Sequence, residues 1–431
     1  MAKTKGSHLM FFARDRIIND GRHYKHHDGT DALTDFHAQI ASKEEDCRKS
    51  YAYQTAYHYD NKKQEDTHPY GLFQVFGKQI VFHGRLILTP LNHRFVAKIH
   101  FLYFCNVMYK IAHLEFPHYP LLLAPMEDVS DPPFRYVCKL FGADVVYSEF
   151  ISADGLIRDS VKSIKKLDFE EMERPVGIQI FGNAVEPMVE AARYAETAHP
   201  DIIDINFGCP VKKVASKGAG SGIMNDIPKM VAITKAVVEA VKTPVTVKTR
   251  LGYDDQHREI VDIAERLQDV GIAALTIHGR LRTTKYSEPA DWTLIGAVKN
   301  NPRMHIPIIG NGDVVDGPSA KYYKDTYGVD GLMIGRATYG NPWIFDQIRH
   351  YLETGEELPL PDVQERVRVS KIQLQRSVEW KGEHIALLEI RKHWASYFKG
   401  LPNFKPFKMR LMETLSVEEV LGILSEIENY Y

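Results

Sequence analysis

Cysteine is scarce in this chain: four among 431 residues, at Cys47, Cys105, Cys138 and Cys209, with no Cys-x-x-Cys pair. That excludes a disulfide framework and points to a reducing compartment. Charge of one sign is lacking as well. Lys and Arg total 54 against 56 Asp and Glu, a formal net charge of −2, so a uniformly basic nucleic-acid binder is ruled out and any anionic partner must be met by a local patch. No apolar run is long enough to span a bilayer and no secretory leader is present, so a cytoplasmic location is expected. The length suits a large barrel with an appendage.

Residues 1–107 have little strand–helix periodicity until Gln79-Ile-Val-Phe-His83 and Arg85-Leu-Ile-Leu88, and they carry many of the 19 histidines. Only His26-His27 are adjacent and no Cys or carboxylate spacing closes a metal site, so no metal is expected. This stretch reads as a low-order extension outside the working protein, which is expected to begin at Met108 with a short hairpin beneath strand one.

From residue 121 the pattern alternates regularly. Buried strands are expected at 121–125, 144–148, 175–181, 201–206, 244–249, 273–278, 306–309 and 331–334, each followed by a helical stretch. Eight strand–helix units, nearly all ending in polar residues, predict an α/β fold: a (β/α)8 TIM barrel spanning residues 108–353. Helical spacing over 363–380, 385–398 and 417–427 then predicts a small all-helical C-terminal domain, residues 354–431. Its Arg391, Lys392, Lys399, Lys405, Lys408 and Arg410 read equally as a solvated face or an RNA contact.

In such a barrel the residues just past each strand share one mouth. Here that mouth is expected to hold Met126, Gln179, Asn206, Cys209, Lys248, His278, Asn311 and Arg336. Cys209 sits between Gly208 and Pro210 before a Lys- and Gly-rich loop; an inert core cysteine is the plain alternative. Gly310-Asn-Gly-Asp313 and Gly335-Arg336 follow strands seven and eight, where barrels bind phosphate. Lys248, on an apolar strand, needs an anion or a shifted pKa. A Schiff-base lysine suits it, and so does a counter-charge to a reduced flavin; only the flavin uses Cys209 and Gln179 too.

Seven blocks carry a family resemblance: Ala124-Pro-Met126 with Asp131-x-Pro-Phe-Arg135, Gln179-Ile-Phe-Gly182, Asp204-Ile-Asn-Phe-Gly-Cys-Pro210, Val247-Lys-Thr-Arg250, Leu275-Thr-Ile-His-Gly-Arg280, Asn311-Gly-Asp313 and Met333-Ile-Gly-Arg336. In this order they resemble the tRNA-dihydrouridine synthases. Cys209-Pro-x-Lys-Lys213 and Gly335-Arg-Ala-x-x-Gly-x-Pro-Trp-Ile344 resemble the bacterial B-type subfamily. The resemblance implies FMN held by Pro125, Met126, Glu127, Gln179, Lys248, His278, Asn311, Gly312, Asp313, Gly335 and Arg336. It implies NADPH or NADH as reductant and tRNA as partner, with the helices of residues 354–431 as the tRNA-binding domain and no stable protein partner. Hydride would pass from flavin N5 to uracil C6, and Cys209 would protonate C5 of a D-loop uridine. Asn206 would orient the base, while Lys212, Lys213, Lys217, Arg250, Arg280 and Arg282 would meet tRNA phosphates. Glu127-Asp128 departs from the small residues usual there, and Glu127 is expected to reach the cofactor through its backbone. An FMN-dependent small-molecule oxidoreductase of the dihydroorotate dehydrogenase type is the alternative; a non-catalytic RNA-binding protein on a degenerate barrel is a third reading.

Overall fold

The computed structural model describes residues 108–431 except Lys285, together with the backbone of four earlier strands. These strands, Tyr53–Tyr59, Tyr70–Phe73, Phe82–Leu91 and Arg94–Phe101, form an antiparallel sheet in the order first, fourth, third, second. The rest of the stretch read as a low-order extension lies outside the described residues, so that reading is not decided by the fold. Residues 107–431 form a separate compact unit.

That unit opens with a hairpin, Tyr109–Ile111 and Leu114–Phe116. Eight parallel strands follow: β1 Leu121–Leu123, β2 Val146–Tyr147, β3 Val176–Phe181, β4 Ile202–Asn206, β5 Val245–Arg250, β6 Ala274–His278, β7 Ile308–Asn311 and β8 Gly331–Ile334. Each pairs with the next; β8 pairs with β1, and the Leu122–Val145 bridge joins β1 to β2, closing the ring. The helices between and after them are α1 Pro132–Leu140, α2 Ala153–Leu156, α3 Val185–Glu196, α4 Ile227–Ala240, α5 Ile260–Asp269, α6 Thr293–Lys299, α7 Gly317–Tyr327 and α8 Ile344–Thr354, with two further short helices, Val161–Lys165 and Lys212–Ala215, in the connections after β2 and β4. The fold is the TIM barrel that the alternation predicts. Local chemistry sets the boundaries: Asp131 caps α1 by accepting from Phe134 N–H at 3.0 Å, with Pro132 just inside, and Gly328 ends α7 at φ 65°.

Side chains alternate across each strand, and this alternation builds two cores. Outward residues such as Ile203, Ile205, Val245, Val247, Leu275 and Ile277 pack under the helices. Leu122, Tyr147, Ile202, Ala274, Ile309 and Met333 fill the lower interior, which the hairpin's Ile111 and Phe116 close from below. Higher up, the same two-residue step turns polar: Ile202, Asp204, Asn206 on β4; Thr246, Lys248, Arg250 on β5; Ala274, Thr276, His278 on β6. Strand register sorts these into layers. Gln179, Asp204, Thr246 and Ala274 lie abreast, with Asn206, Lys248 and Thr276 above them, then Arg250, His278 and Asn311.

Four helices complete the chain: α9 Val363–Lys381, α10 Glu383–Tyr397, α11 Lys405–Glu413 and α12 Val417–Tyr430. The sequence reading has no counterpart to α11, whose single fully buried side chain, Leu411, leaves almost no apolar period to detect. These helices do not stand apart from the barrel. Val367, Leu374, Trp394 and Tyr397 belong to the same core as the barrel's outer layer. Tyr397 meets Trp343 edge-on at 5.7 Å, and His393 packs on Phe134 at 4.8 Å. The seam also carries charge: Lys381 reaches both Asp131 and Glu389, with Glu389 at 2.5 Å, and Arg376 contacts Glu170 at 2.6 Å.

Candidate active site at the barrel mouth

Above the polar layers lies a cavity of about 630 Å³, a size suited to a cofactor-sized ligand. Its wall takes Pro125, Met126 and Glu127 from the loop after β1, and Asn206, Cys209, Lys248, Arg250 and His278 from β4–β6. Asn311, Gly312, Asp313, Gly335 and Arg336 complete it from β7 and β8. The structure thus gathers most of the residues singled out from the sequence.

Cys209 is 7 % exposed and sits on a turn that is held from both sides. Asn206 Oδ1 accepts from the backbone N–H of Gly208 at 2.9 Å and of Cys209 at 3.0 Å. The Cys209 carbonyl accepts from Ser221 N–H and hydroxyl at 3.0 and 2.8 Å. Gly220, at φ 53°, is required here because a Cβ would lie 2.8 Å from that same carbonyl oxygen. Burial pushes the Cys209 thiol up from its ordinary pKa, so it keeps its proton at neutral pH.

Lys248 Nζ has one side-chain partner, donating to Asn311 Oδ1 at 3.1 Å. Asn311 is itself oriented by donating to Met333 O at 2.7 Å. Burial and the neighbouring Arg250 push the Lys248 ammonium down to about 8. Burial, then Lys248, Arg250, Arg280 and Arg336, hold His278 well below its ordinary value, so the imidazole is neutral. Arg280 donates to His278 Nε2 at 3.1 Å, which leaves the ring proton on Nδ1. Asp204, one layer below, acts on Lys248 only through space, and a part-buried cation with no ion-paired carboxylate, beside Arg250, suits an anionic ligand.

Asp313 is the hub of the β7 side. It accepts from Arg280 Nη2 with both oxygens at 2.8 and 2.7 Å, from Ala290 N–H at 2.8 Å and from Arg336 at 2.9 Å. Its side chain therefore braces the loop, and what the loop offers a ligand is backbone. Arg336, paired with Asp313 and set against the Tyr286 ring at 4.7 Å, is half exposed at this end of the cavity.

Several expected residues sit elsewhere than the mouth. Gln179 is fully buried one layer below the cavity wall, with its amide donating to Asp204 at 2.5 Å and accepting from Asn206 at 2.8 Å. Arg280, expected at tRNA phosphates, is a correction: its side chain is 1 % exposed, committed to Asp313, His278 and the Glu288 carbonyl. Arg250 is likewise buried, donating to Gly208 O at 2.7 Å and Leu281 O at 2.8 Å, and clamps the cysteine turn rather than meeting a phosphate outside. Arg282 is partly buried over the Tyr253 ring at 4.2 Å. Lys212, Lys213 and Lys217 are exposed on the loop beyond Cys209. Glu127 turns its carboxylate to Lys166 at 2.6 Å, which also lies 3.5 Å from Glu149, so the added acid is neutralised locally.

Sequence reasoning missed Tyr286 and Trp292. Tyr286 is half exposed on the cavity wall, stacked near His278 at 6.1 Å; an aromatic in the polar loop after β6 is its only signal. Trp292 donates to Gly312 O at 3.0 Å and occupies the space a Cβ on Gly310 would need. Glycine at 310 and the indole at 292 therefore require each other.

The dihydrouridine synthase family model matches residues 122–429. The tRNA-dihydrouridine synthase B of Pseudomonas putida is 40 % identical over 290 residues, 67 % of this chain and 86 % of that protein. A probable tRNA-dihydrouridine synthase of Rickettsia conorii is 38 % identical over 319 residues, 73 % of this chain and 96 % of that one. Among solved structures, a variant of NCR from Zymomonas mobilis aligns at 16 % identity with a TM-score of 0.42, covering 59 % of this chain and 92 % of that chain, too distant to bear on the chemistry. On the match across both barrel and C-terminal helices, the chain belongs to the dihydrouridine synthase family.

Proposed function

We propose that this protein reduces one D-loop uridine of tRNA to 5,6-dihydrouridine, using FMN in the barrel mouth and NADPH (or NADH) as reductant. The observation that carries the reading is a thiol on a braced turn, Cys209, on the same cavity wall as a part-buried lysine that makes no ion pair with a carboxylate among the described residues, Lys248. The relatives' names supply the substrate class.

The residues present suit FMN. Lys248 would face the anionic edge of the ring, and the backbone at Pro125–Glu127 and Asn311–Asp313 would frame it. Gly335 and Arg336 would take the phosphate, the half-exposed Arg336 turning from Asp313 toward its oxygens. Neutral His278 offers Nδ1–H as a donor. Gln179 would act from beneath. When bound, the reduced flavin supplies a hydride for C6 of the uracil.

The chain does the rest. Cys209 Sγ–H delivers its proton to C5, and burial keeps that proton in place until the base arrives. Arg250 and Lys248, whose charges favour the thiolate, stabilise the sulfur once the proton has left. A stacked base cannot enter this mouth, so the uridine must be extruded from its loop. Lys212, Lys213 and Lys217 beside the mouth, and exposed Lys399, Lys405 and Lys408 on the C-terminal helices, would hold the tRNA backbone. Among the described residues no helix is long and apolar enough to cross a membrane, and we place the protein with its tRNA in the cytoplasm. Mapping dihydrouridine in tRNA from cells with and without this gene tests the reading. Loss of one dihydrouridine is expected on deletion, and an unchanged map contradicts it.

A further inference from the structure

The layer beneath the cavity contains an ionisable group that the chemistry above leaves unused. Asp204 is 2 % exposed in the barrel interior, where a carboxylate is costly to hold. Burial pushes it up to about 6, while bonds from Gln179 and Thr246 and the charge of Lys248 oppose that rise. Both of its oxygens accept hydrogen bonds in the structure, Oδ1 from Thr246 and Oδ2 from Gln179, the pattern of a carboxylate, which only accepts.

That fact propagates upward. Thr246 hydroxyl donates to Asp204 Oδ1 at 2.5 Å, and Gln179 must turn its NH2 toward Oδ2, also at 2.5 Å. With its NH2 directed down, Gln179 presents Oε1 to Asn206, which must answer with its own NH2, at 2.8 Å. Asn206 is then obliged to present Oδ1 to the opposite side, where it accepts the N–H groups of Gly208 and Cys209. An amide's oxygen and nitrogen ends are nearly isosteric, so nothing in shape alone forbids either Gln179 or Asn206 from reversing. A reversed Asn206 would place an NH2 against two backbone N–H groups and release the cysteine turn.

We propose that Asp204 is a positioning residue: it fixes the direction of both amides and through them the place of the Cys209 thiol. A corollary concerns the substrate. With Oδ1 and one N–H committed, Asn206 has only an N–H left for the cavity that it lines, which suits a carbonyl oxygen and not an amino group. That corollary rests on the uridine-reduction reading; the positioning of Cys209 does not.

Two variants of the holoenzyme test it. Asp204→Asn lets the amides reverse but also removes a charge near the thiol. Gln179→Met cuts the relay while leaving the Asp204 charge in place. The readout is the rate at which iodoacetamide alkylates Cys209, followed by mass spectrometry of its peptide, in protein whose melting transition shows it folded. Both variants are expected to react several-fold faster than wild type, because a released turn exposes the thiol. In turnover, kcat for tRNA reduction should fall about tenfold or more, the scale of a misplaced reacting group, with KM for tRNA unchanged. Wild-type alkylation in Gln179→Met overturns the proposal even if Asp204→Asn fails to fold. If wild-type protein forms no dihydrouridine, the functional reading falls, and the alkylation comparison still decides the role of Asp204.

Discussion

Lys381 and Lys248 are both part-buried, and their surroundings are opposite. Lys381, 7 % exposed at the seam between barrel and helices, touches two carboxylates, Asp131 and Glu389. Burial pushes its ammonium down, but the two acids more than reverse this, and its pKa ends above the ordinary value. Lys248, on the cavity wall, bonds no side chain among the described residues but the Asn311 amide, and burial, with Arg250, takes it down to about 8 against the more distant Asp204. A cation with its counter-charge built in is structural. One held without a counter-charge costs stability, and it makes sense where a ligand brings the missing anion.

The reaction itself gives the largest expected effect. Cys209→Ala should retain flavin and its reduction by NADPH, and lower dihydrouridine formation by about 10²–10⁴-fold, the usual contribution of a general acid. Stopped-flow flavin reduction and nucleoside analysis of the tRNA separate the two half-reactions.

At the seam, Lys381→Met leaves the buried Asp131 and the part-exposed Glu389 without their shared cation. The expected loss is about 3–5 kcal/mol of stability in urea unfolding, with flavin content per folded molecule unchanged. Lys248→Met should move the other way in flavin-free protein, gaining up to ~3 kcal/mol at neutral pH from relief of the desolvated charge, while flavin affinity falls. The pH dependence follows from the lowered pKa. Between about 8 and the ordinary 10.5, the unfolded chain holds a proton on Lys248 that the folded one has lost. Wild-type stability, measured against Lys248→Met, should therefore rise with pH across that window and stay flat below it. If both variants lose stability and flavin together, the contrast between the two lysines is wrong.

Arg336→Ala should give the smallest effect. The guanidinium is half exposed and Asp313 keeps Arg280, so stability should change by less than about 1 kcal/mol. FMN should bind more weakly, and riboflavin, which lacks the phosphate, should bind equally well to both proteins. Equal loss for both ligands would remove Arg336 from the phosphate role.

The eight strands and the polar strand ends were legible because one period governs both. Residues two apart share a face, and the apolar-to-polar step along β4 or β5 is visible in the letters. Depth was not legible. Gln179 and Asn206 both read as mouth residues, yet register places Gln179 abreast of Asp204, one layer lower. Nor was commitment legible: Arg250, Arg280 and Arg282 look alike in sequence, and only the fold spends the first two on backbone carbonyls and, for Arg280, Asp313 as well. The packing of the C-terminal helices on the barrel was not legible either, because beside Val367, Trp394 and Tyr397 the seam uses residues that pass for surface, Lys381, His393 and Arg376 among them. His393 is fully buried and accepts from Gly340 N–H at 3.0 Å, in the stretch that follows Arg336; burial and nearby lysines take it down to about 3. Lys392 likewise donates to the Asp128 carbonyl, in the loop after β1. The helices thus brace two loops of the cavity.

The most direct test is a single turnover. Purified protein, its flavin reduced by NADPH and excess reductant removed, is mixed without oxygen with a tRNA transcript that carries no modified bases. The account predicts that flavin reoxidation and dihydrouridine formation proceed together, one dihydrouridine per flavin, at a single uridine of the D-loop. Flavin that stays reduced in the presence of tRNA, or is reoxidised with no dihydrouridine in the transcript, would contradict it.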